Sequence, residues 1–267
     1  MKTLMPMGGA IDELKKPDVL MEFIKRAGGK RARIVILPQA SQLRDTGREY
    51  VEMFKTFGAK EAVSIEFRLR ELANKKEHLQ LIRKATGIFF SGGTQMRISA
   101  ILGGTRMETE LLKAYQNGCV VGGTSAGASI LSRTMVAYGK GGASPRERIL
   151  QMSSGLGFTD KFIFDQHFRQ RDRLGRLIYA VASHPGIVGV GVDEDTAAVI
   201  ENDSRISVYG SGAVTIVDGN TITASNIAEV TASRPIAVSG LTVHVLTPGC
   251  TYDMKKRKAH IPPLVLE

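Results

Sequence analysis

The 267-residue chain has no tryptophan, only two cysteines and no apolar run of membrane-spanning length. Each shortage excludes something. With aromatics at 6% and hydrophobic residues at 43%, the core must be mostly aliphatic. Cys119 and Cys250 lie far apart, and the first falls in an apolar run. Free thiols in a reducing compartment are expected, not a disulfide. The first ten residues make a poor secretory leader, because Pro6, Gly8 and Gly9 interrupt the apolar stretch after Lys2. A bilayer span needs about 20 apolar residues in a row. A cytoplasmic location without a membrane partner is therefore expected. No repeat, low-complexity stretch or linker divides the chain, so residues 1–267 read as a single domain. No metal-ligand spacing of His, Cys, Asp and Glu occurs, and neither a metal nor a cofactor is expected.

Charge is abundant but diffuse. Lys plus Arg is 36 against 26 Asp plus Glu, a net +10. The longest basic block, Lys255-Lys256-Arg257-Lys258, reads as a solvated face. A nucleic-acid partner is not expected. Anionic groups on a small or polymeric substrate fit the excess equally well.

Apolar runs at 3–7, 33–37, 62–65, 87–90 and 119–122 read as strands, the second of them rich in β-branched residues. Helical spacing fills 19–24, 50–54, 72–84 and 107–117 between them. This βα rhythm, roughly thirty residues per unit, predicts an α/β fold: a mostly parallel central sheet with helices on both faces. Further strands are predicted at 162–164 and 187–192, a loop over 138–148 and a helix over 169–183. After Ala197 short β runs alternate with turns at Asn202-Asp203, Gly210-Ser211-Gly212 and Asp218-Gly219-Asn220. These predict antiparallel hairpins.

In parallel sheets the ligand lies outside the carboxyl ends of the strands. Gly123-Thr124-Ser125-Ala126-Gly127 follows one such end and fits the G-x-S-x-G nucleophile elbow. Small neighbours let a strained turn close, and the Ala126 N–H points where an oxyanion would form. Gly92-Gly93 follows another end and can share the cleft. A serine nucleophile needs a base and an orienting acid. Of five histidines, His167 alone follows a strand end among polar residues. Asp193, Glu194 and Asp195 end another predicted strand, and any of the three can orient the imidazole. Beyond His167 comes Arg169, Arg171, Arg173 and Arg176, of which all but Arg171 share a helical face. Guanidinium forks hold carboxylates, while Asp165 and Gln166 can hold a cationic or amide group. The residues thus suit a substrate that carries both signs of charge.

Taken together, Gly123 to Ser129, Gly155-Leu156-Gly157-Phe158, Asp165-Gln166-His167-Phe168 and Val192-Asp193-Glu194-Asp195-Thr196 resemble the cyanophycinases. These are serine peptidases grouped with peptidase E on a class I glutamine-amidotransferase-like, flavodoxin-like fold. The resemblance implies hydrolysis of cyanophycin, a poly-aspartate backbone with arginine on each side-chain carboxyl, to β-Asp-Arg dipeptides. It implies Ser125 as nucleophile and His167 as base. It also implies Gln95, Asp165, Gln166, Arg171, Arg173 and Arg176 as the substrate pocket. Gly93 and Ala126 would supply the oxyanion N–H groups. Some members carry a glutamate just before the step matching Ser144-Pro145; here that residue is Ala143, and Glu147 is out of register. Glu194, which matches a family glutamate, is therefore the expected acid. A homodimer is expected. The alternatives are an isoaspartyl or aspartyl dipeptidase of the peptidase E type and a catalytically silent basic binding protein.

Overall fold

The computed structural model describes residues 1–11 and 17–263. The first half alternates strand and helix: β1 (Thr3–Met7), α1 (Asp18–Arg26), β2 (Arg33–Leu37), α2 (Thr46–Thr56), β3 (Glu61–Ser64), α3 (Lys76–Lys84), β4 (Gly87–Phe90). Then come α4 (Gln95–Leu102), α5 (Arg106–Gln116), β5 (Val120–Thr124) and the single turn α6 (Ala126–Ser129). The second half is mostly β: β6 (Thr134–Gly139), β7 (Leu150–Ser154), β8 (Phe162–Gln166), α7 (Leu174–Ser183), β9 (Val188–Val192), β10 (Thr196–Glu201), β11 (Arg205–Gly210) and β12 (Val214–Asp218). No helix among the described residues is long and apolar enough to cross a membrane.

Strands β3, β2, β4, β5 and β1 lie side by side and parallel. Their register aligns the carboxyl ends, with Met7 opposite Thr124, Phe90 opposite Gly123 and Leu37 opposite Phe90. The loops that follow therefore form one rim. Beyond β1 the sheet continues antiparallel through β10, β11 and two short strands, Thr251–Asp253 and Lys258–His260. Neighbouring strand residues face opposite ways. Met5, Ile34 and Phe89 pack under α1 and α2, with Phe23, Phe54 and Phe89 in mutual ring contact. Leu4, Val35 and Phe90 face α3, α4 and α5 on the other side. Helices thus cover both faces.

The predicted strands at 162–164 and 187–192 are present, but not in this sheet. β8 and β9 pair in parallel within a second, four-stranded sheet completed by β12 and Thr242–Leu246. One face of that sheet joins the main core through Phe162, Phe164, Val190 and Ile216. The other face is covered by α7. An apolar parallel strand looks alike whichever sheet receives it, so the sequence pattern merged the two. Of the hairpins expected after Ala197, the one turning at Asn202-Asp203 forms between β10 and β11; past Gly210-Ser211-Gly212 the chain leaves this sheet, and β12 pairs instead with β9 and Thr242–Leu246 in the second.

Three further differences matter. The stretch after Gly92-Gly93 is not only a turn, because α4 begins at Gln95. The expected loop over 138–148 starts later, since Tyr138 and Gly139 belong to β6. The expected helix over 169–183 is broken: a short 3₁₀ turn, Arg169–Arg171, ends at Asp172, whose φ is 48°, and α7 starts at Leu174. The break aims Arg169 away from Arg173 and Arg176.

Candidate active site

The strand-to-helix turn after β5 holds Ser125 at φ 53° and ψ −113°, a region that L-residues rarely occupy. Such a backbone persists only where its surroundings over-determine it. Here the glycines do so. A Cβ on Gly123 would lie 2.4 Å from the Gly127 carbonyl oxygen, and one on Gly127 2.2 Å from that of Phe90. The Ser125 N–H donates to the Met7 carbonyl at 3.0 Å, which ties the turn to β1. The hydroxyl is thereby lifted above the rim.

The second sheet brings the other two groups. Gln166 pairs with Val192, so the residues after β8 and β9 emerge level with each other. The two sheets are joined at Gly8-Gly9. The His167 N–H donates to the Gly8 carbonyl at 2.7 Å, and the Asp195 N–H to that of Gly9 at 2.9 Å. Only glycine fits this joint. A Cβ on Gly8 would lie 1.8 Å from the Asp193 carbonyl oxygen, and one on Gly9, at φ 101°, would enter the His167 ring at 2.3 Å. The turn signal of Gly8-Gly9 was legible in the sequence, but not its contact with a residue 158 positions later.

His167 Nε2 stands 3.0 Å from Ser125 Oγ, and its Nδ1 stands 2.6 Å from Glu194 Oε1. A carboxylate can only accept, so Nδ1 carries the proton and Nε2 is left to accept from the serine hydroxyl. Burial lowers the His167 pKa from its ordinary value. The bond to Glu194 opposes that shift, while the charges of Arg171 and Arg173 add to it. The ring is thus neutral at neutral pH, the form a general base requires.

The three adjacent carboxylates divide their work. Asp193 accepts from the backbone N–H groups of Arg169 and Ala213, so it fastens β9 to its neighbours. Asp195 accepts from the Ser211 hydroxyl at 2.6 Å. Only Glu194 reaches the imidazole, and its backbone N–H is held by Gln170 Oε1 at 3.2 Å. Gln170 carried no sequence signal beyond its place between two arginines. Glu147 lies apart from this group, bonded to Arg148 and to the Ser233 N–H.

The Gly92-Gly93 turn runs beside the serine: a Cβ on Gly92 would sit 3.5 Å from that of Ser125. Gly93 takes φ 136°, and a Cβ there would lie 2.2 Å from the Ala40 carbonyl oxygen. Among the described residues neither the Gly93 nor the Ala126 N–H donates to a protein acceptor. Both are free to serve a developing oxyanion.

The remaining candidate residues are arranged differently from expectation. Asp165 has no accessible surface. It accepts from Arg176 Nε at 2.6 Å, from a terminal nitrogen of the same guanidinium and from Arg173 at 3.2 Å. Arg173 also donates to the carbonyl and the side-chain oxygen of Gln166, and Arg176 to the Gly139 carbonyl. Burial lowers the Arg173 pKa to about 10, so it stays charged at neutral pH. The expectation that Asp165 meets a cationic substrate group directly is not met: its charge is taken up by two buried arginines. Gln95 likewise spends its amide on the carbonyls of Val136 and Ala137, at 3.0 and 2.7 Å. Arg171 is exposed at the rim.

The Asp165 clamp makes a strong demand on stability. Removing one partner of a buried ion pair leaves an uncompensated charge, which costs about 3–5 kcal/mol. Asp165→Ala, which strands two guanidinium groups, is expected to lose at least that much of a usual total of about 5–15 kcal/mol. Urea unfolding followed by circular dichroism checks this, and a midpoint equal to that of the wild type contradicts it.

Comparison with known proteins places the chain in a family. The model of Peptidase family S51 matches residues 4–208. The chain is 38% identical over 267 residues to a cyanophycinase of Synechococcus elongatus, covering 98% of this chain and 83% of that protein. It is 38% identical over 262 residues to the cyanophycinase of Geminocystis herdmanii, covering 97% and 95%. A crystal structure of a peptidase from an acI-B1 Actinobacterium superposes with a TM-score of 0.68 at 21% identity, covering 95% of this chain and 97% of that one. At that identity the likeness speaks for the fold.

Proposed function

This chain belongs to peptidase family S51, a family of serine peptidases, and from that premise we propose that it hydrolyses cyanophycin to β-Asp-Arg dipeptides through an acyl-enzyme on Ser125. One observation carries the catalytic part: Ser125 Oγ, His167 and Glu194 stand in a continuous hydrogen-bonded line of 3.0 and 2.6 Å. The names of the relatives, at 36–38% identity over nearly the whole chain, support the substrate.

Ser125 Oγ attacks the backbone carbonyl of an aspartyl unit while His167 Nε2 takes its proton. The N–H groups of Gly93 and Ala126 bind the oxyanion, each worth about a factor of 100 to 1,000 in turnover. The C–N bond then breaks, and His167 returns the proton to the leaving amine. Water attacks the acyl-enzyme by the same steps in reverse and frees Ser125. Glu194 holds the Nδ1–H tautomer and balances the imidazolium as it forms. Arg171, at the rim, meets substrate carboxylate directly. Gln95, Gln166, Arg173 and Arg176 shape the pocket wall, and Asp165 sets the direction of both buried guanidinium groups. Residues 1–267 act as one peptidase domain of the class I glutamine-amidotransferase-like kind. The two buried free thiols support a cytoplasmic location, and the family resemblance a homodimer.

Incubation with cyanophycin beside a panel of α- and β-linked aspartyl dipeptides tests the substrate. Release of β-Asp-Arg from the polymer, with little turnover of the dipeptides, is the expected result. Turnover of dipeptides alone would replace the reading by a peptidase E type of activity.

A further inference from the structure

The same rim carries a recess that the mechanism does not use. A cavity of about 370 Å³ opens past the carboxyl ends of β2 and β3, lined by Gln39, Ser41, Arg44, Glu66, Arg68 and Arg97 among others. The Gly92-Gly93 turn lies between the two places: a Cβ on Gly92 would sit 3.5 Å from that of Ser125, and one on Gly93 2.2 Å from the carbonyl oxygen of Ala40, the residue between the lining residues Gln39 and Ser41. We infer that this recess is an accessory subsite that binds a neighbouring unit of an extended, zwitterionic polymer, away from the scissile bond. The inference rests on the cyanophycin reading above.

The chemistry is complementary. In that polymer each arginine is attached through its amino group, so every unit presents one carboxylate and one guanidinium. The recess presents three guanidinium groups and one carboxylate. Arg97 donates to the Gln39 carbonyl at 3.3 Å and Arg68 to that of Gln42 at 3.2 Å. Each bond holds a guanidinium in place and leaves most of its five N–H donors for a ligand. Glu66 is exposed and accepts one bond, from Ser64 Oγ at 3.1 Å, so it retains acceptor capacity for a substrate guanidinium. Gln39 marks the floor as polar. It is buried, its amide nitrogen donates to the Ile65 carbonyl at 2.7 Å, and its amide oxygen has no donor among the described residues. The positions follow from the fold. β2 and β3 end level with β4 and β5, so a chain lying along the rim from Ser125 reaches this recess.

Binding energy gained away from the reacting atoms depends on how far the substrate reaches, and that decides the experiment. The double variant Arg44→Ala/Arg68→Ala and the single variant Glu66→Gln are compared with wild type on two substrates. One is long-chain cyanophycin; the other is a segment of two β-Asp-Arg units with a single scissile bond. Charge-assisted bonds at an exposed site lead us to expect KM for the polymer to rise about 3- to 10-fold in the double variant. KM for Glu66→Gln is expected to rise in the same direction, with kcat and all constants for the short segment unchanged. An unchanged polymer KM, or an equal rise for both substrates, overturns the subsite while leaving the proposed activity standing. If the wild type releases no dipeptide from either substrate, the activity itself fails. Thermal unfolding of each variant at the wild-type temperature shows that the changes are not loss of fold.

Discussion

Ser125→Ala is expected to lower dipeptide release by at least about 10⁴-fold while leaving the fold and substrate binding in place. The nucleophile bears the bond that is made and broken, so no neighbour can substitute for it. Removing the serine of such a unit typically costs as much as removing the whole triad, and what remains comes from the oxyanion N–H groups and from binding. The structural side is equally direct. Ser125 is held at positive φ by glycines at 123 and 127 and by its own N–H bond to Met7, none of which involves the hydroxyl. Alanine at a positive φ costs about what serine does, so the unfolding midpoint should barely move. Measured turnover on cyanophycin, with the dissociation constant of a nonhydrolysed segment as control, separates lost chemistry from lost binding. Dipeptide release at the wild-type rate would remove Ser125 from the reaction.

Glu194→Gln is expected to lower kcat by roughly 10³- to 10⁴-fold, the loss seen when a triad acid becomes an amide. The amide offers an N–H to His167 Nδ1, which favours the tautomer with its proton on Nε2. That tautomer has nothing with which to accept from Ser125. The pH profile gives this prediction a sign. In the wild type His167 titrates below its ordinary pKa of about 6.5, because burial and the arginine charges outweigh Glu194. Activity needs the neutral ring, so kcat/KM is full at neutral pH and falls with acid only as the pH drops through that lowered pKa. Glu194 raises the pKa; its neutralisation therefore moves the acid limb to still lower pH. Arg171 lowers it, and Arg171→Gln should move the limb up. A Glu194→Gln enzyme of wild-type kcat, or one whose acid limb moved upward, would show that another group orients the imidazole.

How far the sequence revealed this depended on whether a feature was local. The strands β1, β2 and β4 and the elbow are local: short apolar runs closed by glycine or proline read the same on paper as in space. Ser125 needed only its own neighbours to be singled out. His167 was singled out because it follows a strand end, and Glu194 because the family resemblance chose it among three adjacent carboxylates, yet the sheet they belong to was not visible. Sequence periodicity reports which face of a strand is buried, not which sheet receives it. The arginine run shows the opposite failure. Its spacing is helical, but Asp172 adopts φ 48° and turns the chain before α7. As a result Arg173 and Arg176 face inward to Asp165, while Arg169 and Arg171 stay in solvent. The charge pattern pointed Asp165 and the arginines alike toward a substrate; the fold sets Arg173 and Arg176 against Asp165. Gln95 is similar. Its amide meets carbonyls 41 and 42 residues away, a contact that no local pattern encodes.

Catalysis depends on two sheets delivering a hydroxyl and a neutral imidazole to one point, and covalent labelling reads that point directly. Treatment with a serine-reactive organophosphonate followed by peptide mass mapping should yield one adduct, on Ser125. Its rate should fall in acid along the same limb as kcat/KM and vanish in His167→Ala. Dipeptide release that persists while Ser125 remains unlabelled, or an adduct on another residue that abolishes activity, would contradict the account.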